Sequence, residues 1–164
     1  MRSDDFERLY AEHARRLLDF LVYRTGDVAL SEDLLADTFE KVLTARRPFS
    51  RRGSATEKTW LYTIALNRLR DHARRAKVEE RALERVEAGG APAQPDSPLD
   101  AIADREAVHR ALATLSAEER EAVALRYGAD LTVPEIAGVL GVSLTTAEGR
   151  VYRALRRLRD AMKA

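Results

Sequence analysis

The chain has no cysteine. That excludes disulfides and any metal site built on thiolates, and it suits a reducing compartment. No apolar run approaches the ~18 residues that a membrane span needs, so no membrane partner is expected. The opening MRSDDFERLY is acidic and amphipathic, unlike a signal peptide, and places the chain in the cytoplasm. Aromatic residues make up only 6% of the 164 positions. With 45% hydrophobic and 34% charged residues, two small helical domains with thin cores fit this composition better than one β sandwich. The histidines His13, His72 and His109 are scattered, and there is no HExxH, phosphate loop or nucleophile elbow. Neither catalysis, nor a metal, nor any other cofactor is expected.

The formal net charge is only +1, which by itself does not argue for nucleic acid. Its distribution says more. Ten Lys/Arg stand against two acids, Glu57 and Asp71, between Thr44 and Lys77. Six stand against one, Asp160, between Arg150 and Lys163. Between Asp27 and Glu40 there are five acids and no base. Basic blocks set apart from an acidic block suggest one surface for a polyanion and another for a protein.

One stretch breaks the helical pattern. AGGAPAQPDSP, residues 88–98, holds three of the five prolines and two adjacent glycines, and nothing larger than Gln. It reads as a flexible linker between domains 1–87 and 99–164. In the first domain Phe6, Leu9, Tyr10, Leu17 and Leu21 form one stripe, ended by Thr25-Gly26. Ser31 is the expected N-cap of a second helix, with Glu32 and Asp33 in its first turn. Leu34, Leu35, Thr38, Phe39 and Val42 form its stripe, and Pro48 stops it. After a polar loop at 50–56, a long helix is expected from Glu57 to about Val86, with Leu61, Ala65 and Leu69 facing its core.

The second domain repeats the style. Val108, Leu112 and Leu115 mark one helix. Ser116–Glu119 and Thr132–Glu135 are capping boxes, the second with Pro134 in its first turn. Gly141 ends a short helix and Ser143 caps the next. Ala147, Val151, Ala154, Leu155, Leu158 and Met162 then share a face. The fold class is all-α, with no strand pattern and no internal repeat.

Three features carry chemistry. TVPEIAGVLGVSLTTAEGRV, residues 132–151, has the short helix, turn and longer Arg-rich helix of a helix-turn-helix. Thr145, Thr146, Glu148, Gly149, Arg150 and Arg153 are the candidates for DNA contact. TWLYTIALNRLRDHARR, residues 59–75, sets Asn67, Asp71, Arg74 and Arg75 on one helix face, able to bond base edges and phosphates. Trp60 and Tyr62 could stack on unpaired bases; for Trp60 plain core packing is the stronger alternative. SEDLLADTF, residues 31–39, with Glu40, sets Asp33, Asp37 and Glu40 in an acidic row beside a Leu-rich stripe. That row is either a solvated surface or a docking face for a basic partner.

The order of SEDLLADTF, TWLYTIALNRLRDHARR, a linker and a helix-turn-helix resembles bacterial RNA polymerase sigma factors. The likeness is to the extracytoplasmic-function group, which keeps only the sigma-two and sigma-four domains. It covers nearly the whole chain, and Leu115–Arg120 and Glu135-Ile136-Ala137 resemble the opening of sigma-four. The resemblance implies a polymerase subunit without catalysis of its own. It implies docking of Glu32, Asp33, Leu34, Leu35, Asp37, Phe39 and Glu40 on the β′ clamp helices of core polymerase. It implies recognition and opening of the −10 promoter element by Trp60, Tyr62, Asn67, Arg70, Asp71, Arg74 and Arg75. It implies reading of the −35 element by Ser143, Thr145, Thr146, Glu148, Arg150 and Arg153. Ile136, Thr146, Arg150 and Arg153 match the family's pattern. Glu148 stands where a base is usual, Gly149 where a Ser-like residue is usual, and Thr145 where Gly is usual. Many relatives are held by an anti-sigma protein, although nothing in the sequence itself marks one. A free-standing helix-turn-helix regulator is the rival reading, but it has no use for the basic, Trp-containing helix of the first domain.

Overall fold

A computed structural model describes residues 2–45, 56–84 and 102–163. The linker at 88–98, Pro48, most of the polar loop before Glu57 and the expected helix end at Val86 lie outside these. Seven α-helices occupy the described residues: α1 (Ser3–Thr25), α2 (Val28–Thr44), α3 (Glu57–Glu84), α4 (Ile102–Ala113), α5 (Ala117–Val123), α6 (Val133–Leu140) and α7 (Leu144–Lys163). A single π-helical turn, Ala124–Gly128, extends α5. No strand is present among the described residues.

α1 and α2 form a hairpin, and α3 lies against both. The hairpin turns at Gly26, whose φ of 68° is left-handed and whose N–H reaches Val22 O. The start of α2 departs from expectation. Asp27, not Ser31, is the N-cap, accepting from the Leu30 N–H at 3.1 Å. Ser31 is fully buried inside the helix. Its hydroxyl donates back to Asp27 O at 2.7 Å, four residues earlier, so it satisfies itself as an interior residue. The core of this half is Leu17, Phe20, Leu21, Leu34, Phe39, Val42, Leu61, Tyr62, Ala65 and Leu66. Tyr10 and Phe6 cover Phe39, the latter edge-on at 5.8 Å.

In the second half α7 is the rod on which α4, α5 and α6 pack. Both expected capping boxes are formed, at Ser116/Glu119 and Thr132/Glu135. Each contributes about 1 kcal/mol to its short helix. Gly141 closes α6 at φ 65°. Ala147, Val151 and Ala154 are buried, but Met162 at the end of the same stripe is 67% exposed. The π turn arises where the Ala129 N–H reaches back five residues to Ala124 O at 3.0 Å. Asp130 follows with φ 56°, a left-handed conformation that Asp tolerates better than most residues.

The two halves touch. α1 packs on the π turn and α3 on α6, and a continuous apolar cluster runs from Leu9 and Phe20 to Leu125, Leu131 and Ile136. At this seam Gly128 faces the rings of Phe20 and Tyr23.

The Gly26 turn generates a stability prediction. Gly26→Ala has open space for its Cβ but must hold a left-handed φ, so it should cost roughly 1–2 kcal/mol. Urea unfolding followed by circular dichroism reads this directly, and an unchanged midpoint would contradict it.

Candidate nucleic-acid interface

On α2, Glu32, Asp33, Asp37 and Glu40 are exposed. Asp33, Asp37 and Glu40 fall at i, i+4 and i+7, so they form one stripe on the outer face. Leu34 and Phe39, expected to dock a partner, are instead 3% and 4% exposed. They are core residues that hold the acidic stripe outward. Leu35 is half-buried against that core.

α3 presents Asn67, Arg74 and Arg75 to solvent. Asp71 is half-buried and accepts a hydrogen bond from Arg74. The acid therefore orients one arginine and leaves Arg75 and Asn67 to solvent. Tyr62 differs from expectation. It is 1% exposed and meets Phe20 edge-on at 5.6 Å, so it cannot stack on a base in this conformation. Burial also pushes its phenol well above the ordinary tyrosine range. Trp60 is half-buried against the same core. Arg70, also exposed, is otherwise engaged. Its guanidinium crosses to the second half and grips Glu121 with two hydrogen bonds, 3.2 and 2.9 Å long.

The recognition helix is capped as expected: the Thr146 N–H donates to Ser143 Oγ at 3.1 Å. Ser143, Thr145, Thr146 and Glu148 are exposed at its start, where a helix enters a groove. Arg150 and Arg153 are less free than the sequence suggests. The Arg150 side chain is only 16% exposed and lies 3.4 Å from Glu118. Arg153 lies 3.9 Å and Arg157 3.2 Å from Glu119. Glu119 is buried and also accepts from the Ser116 N–H as a helix cap. Gly149 makes room for this: a Cβ there would stand 3.0 Å from Arg153 Nη1.

Sequence reasoning did not single out Arg24, Lys58, Glu118, Glu121 or Arg157. The Glu119 cap was visible as a local motif. The others act across the fold, as when Lys58 reaches Glu135 at 3.8 Å and Asp130 O at 3.5 Å. Among the described residues no group of three or more His, Asp or Glu stands where it could hold a metal ion. No helix among them is long and apolar enough to cross a membrane.

Comparison with known proteins agrees with this layout. Sigma-70 region 2 matches residues 9–78 and sigma-70 region 4 matches residues 105–158. The RNA polymerase sigma factor CarQ of Myxococcus xanthus is 34% identical over 161 residues, spanning 98% of this chain and 90% of CarQ. The ECF RNA polymerase sigma factor BldN of Streptomyces coelicolor is 32% identical over 159 residues, spanning 95% of this chain but 60% of BldN. Among solved structures, the sigma factor RpoE of Bartonella quintana, crystallised with the anti-sigma factor NepR, matches with a TM-score of 0.74. That match has 26% identity and covers 98% of both chains. The helical core under the acidic stripe is thus region 2 and the α7 rod is region 4; the chain belongs to the extracytoplasmic-function group of the sigma-70 family of RNA polymerase sigma factors.

Proposed function

We propose that the chain binds core RNA polymerase in the cytoplasm, directs it to promoters through two separate DNA-contacting helices, and helps to open the duplex, without catalysis of its own. The observation that carries this reading is the pairing of two DNA faces in one chain. Asn67, Arg74 and Arg75 line an outer face of α3, and Ser143–Glu148 form the exposed start of a helix-turn-helix. A free-standing regulator needs only the second. Each face is small and would bind weakly alone, but two faces on one tethered chain act at high effective concentration once fixed to an enzyme.

In this reading α2 is the polymerase contact. Its acidic stripe suits a basic partner, such as the β′ clamp helices implied by the family. Arg74 and Arg75 hold phosphates of the −10 strand and Asn67 bonds a base edge. Ser143, Thr145, Thr146 and Glu148 face the −35 groove, and Arg150 and Arg153 exchange their carboxylates for phosphates as the helix docks. Residues 88–98 tether the two domains, 1–87 and 99–164. An anti-sigma protein is a further partner, by likeness to RpoE, whose crystal structure holds one.

In vitro transcription with core polymerase, with sequencing of the transcript starts, tests the whole reading; no promoter-specific start would refute it. Asp33→Arg with Asp37→Arg should abolish co-purification with core polymerase while leaving the circular dichroism unchanged, because both side chains are exposed. Arg74→Ala with Arg75→Ala should lower permanganate reactivity of the promoter bubble more than it weakens polymerase binding. Glu148 can accept from the exocyclic amine of cytosine but cannot donate. Glu148→Ala should therefore relax a cytosine preference at one upstream position, of roughly 1–3 kcal/mol for a good pair. Selection from a randomised upstream element reads this, and identical preferences for both proteins would exclude base reading by Glu148.

A further inference from the structure

The seam between regions 2 and 4 carries an unusual charge cluster. Glu121, on α5, is 8% exposed. Arg70 of α3 donates Nε–H to its Oε1 and Nη2–H to its Oε2, a two-pronged pairing that fixes both side chains. Arg24, at the end of α1, is a second cation in the field of this carboxylate, and Arg120 of α5 repels it. The Nε of Arg24 is buried with no hydrogen-bond partner among the described residues. One carboxylate of the second half therefore faces two guanidiniums of the first. A cavity of about 260 Å³ opens beside them, lined by Tyr23, Arg24, Leu112 and Arg120 among others.

The other ion pairs across the seam are weaker candidates for control. Arg16–Asp130 is 3.9 Å long with both side chains more than half exposed, and Lys58–Glu135 is 3.8 Å long. Solvent screens the first, and the second, although its side chains are only 29% and 26% exposed, is one long contact rather than a fork. The Glu121 side chain is only 11% exposed, so its charge must be answered by a close cation, and leaving it alone in the closed form is costly. At this seam Gly128 offers no side chain to Phe20 and Tyr23, so their rings meet bare backbone.

We propose that the Arg70–Glu121 pair is an electrostatic latch that holds region 2 closed on region 4, with the Glu121 carboxylate standing in for a nucleic-acid phosphate. The forked guanidinium suits phosphate at least as well as carboxylate. A DNA strand that takes Arg70 leaves Glu121 buried without its partner, and the seam opens. Closed, the latch occupies the Arg70 guanidinium with Glu121. Opening thus couples DNA capture to the release of region 4. The latch rests on the reading of α3 as a DNA helix only in naming the competitor.

The absence of cysteine permits a clean test. Ala11→Cys and Arg156→Cys lie on exposed positions of the two regions, and a fluorophore pair placed there reports their separation. Energy transfer in the free protein should be high at low salt and fall as salt rises. Glu121→Gln and Arg70→Gln should each lower the low-salt transfer, and the double variant should lower it no further. A short single-stranded DNA oligonucleotide should lower transfer in the unsubstituted labelled protein. It should also bind Glu121→Gln several-fold more tightly, and Arg70→Gln several-fold less tightly, than the parent. Unchanged transfer in both single variants, with helicity intact, would overturn the latch, whatever the DNA affinities. Lowered transfer in both, with unchanged DNA affinities, would keep the latch and refute a DNA role for Arg70.

Discussion

Phe20 is fully buried where α1, α3 and the π turn converge. Its ring meets Tyr62 of region 2 edge-on, a geometry that adds about 0.5–1.5 kcal/mol beyond area burial. Its other side meets the bare backbone of Gly128 in region 4. The position of the π turn follows from this contact, and with it the placement of Glu121 opposite Arg70. A region 2 that packed Phe20 differently would keep its own helices but lose the alignment of the seam. Apolar packing thus sets the distances at which the charges act.

Much of the fold was legible because its determinants are local. Both capping boxes, the Gly26 and Gly141 turns and the Ser143 cap need only residues within a few positions of one another. The stripes of α1, α2 and α7 needed only helical period. Ser31 was misleading because a Ser before two acids looks like a cap, and only burial shows that its hydroxyl turns back to Asp27 O. Tyr62 was misleading for a related reason. Beside Trp60 in a basic helix it looks like a stacking residue, yet its place is fixed by Phe20, more than forty positions away in sequence. Arg70–Glu121 and Arg150–Glu118 are equally non-local, and charge patterning along the chain shows which residues are charged but not which of them meet.

Region 4 holds the basic side chains of α7 in place before any partner arrives. Arg150, Arg153 and Arg157 lie against Glu118 and Glu119. Long basic side chains lose much entropy when fixed, and here part of that ordering is already done by the neighbouring helix. Any anionic partner of these side chains would exchange acceptors with the carboxylates rather than capture free side chains. Gly149 belongs to the same arrangement, since it leaves the space that Arg153 crosses.

α3 runs on well past the core that anchors it. From Ala73 to Leu83 every side chain is exposed, including Val78 and Leu83. These turns rest on helix propensity and their own hydrogen bonds, which barely sustain an isolated helix of that length in water. Unwinding them breaks no core contact. A residue advances ~1.5 Å in a helix but up to ~3.3–3.6 Å when extended, so unwinding would roughly double the reach of this stretch. The end of α3 is thus a reserve of length stored as helix, about twice as long when extended and released only when its own backbone bonds break.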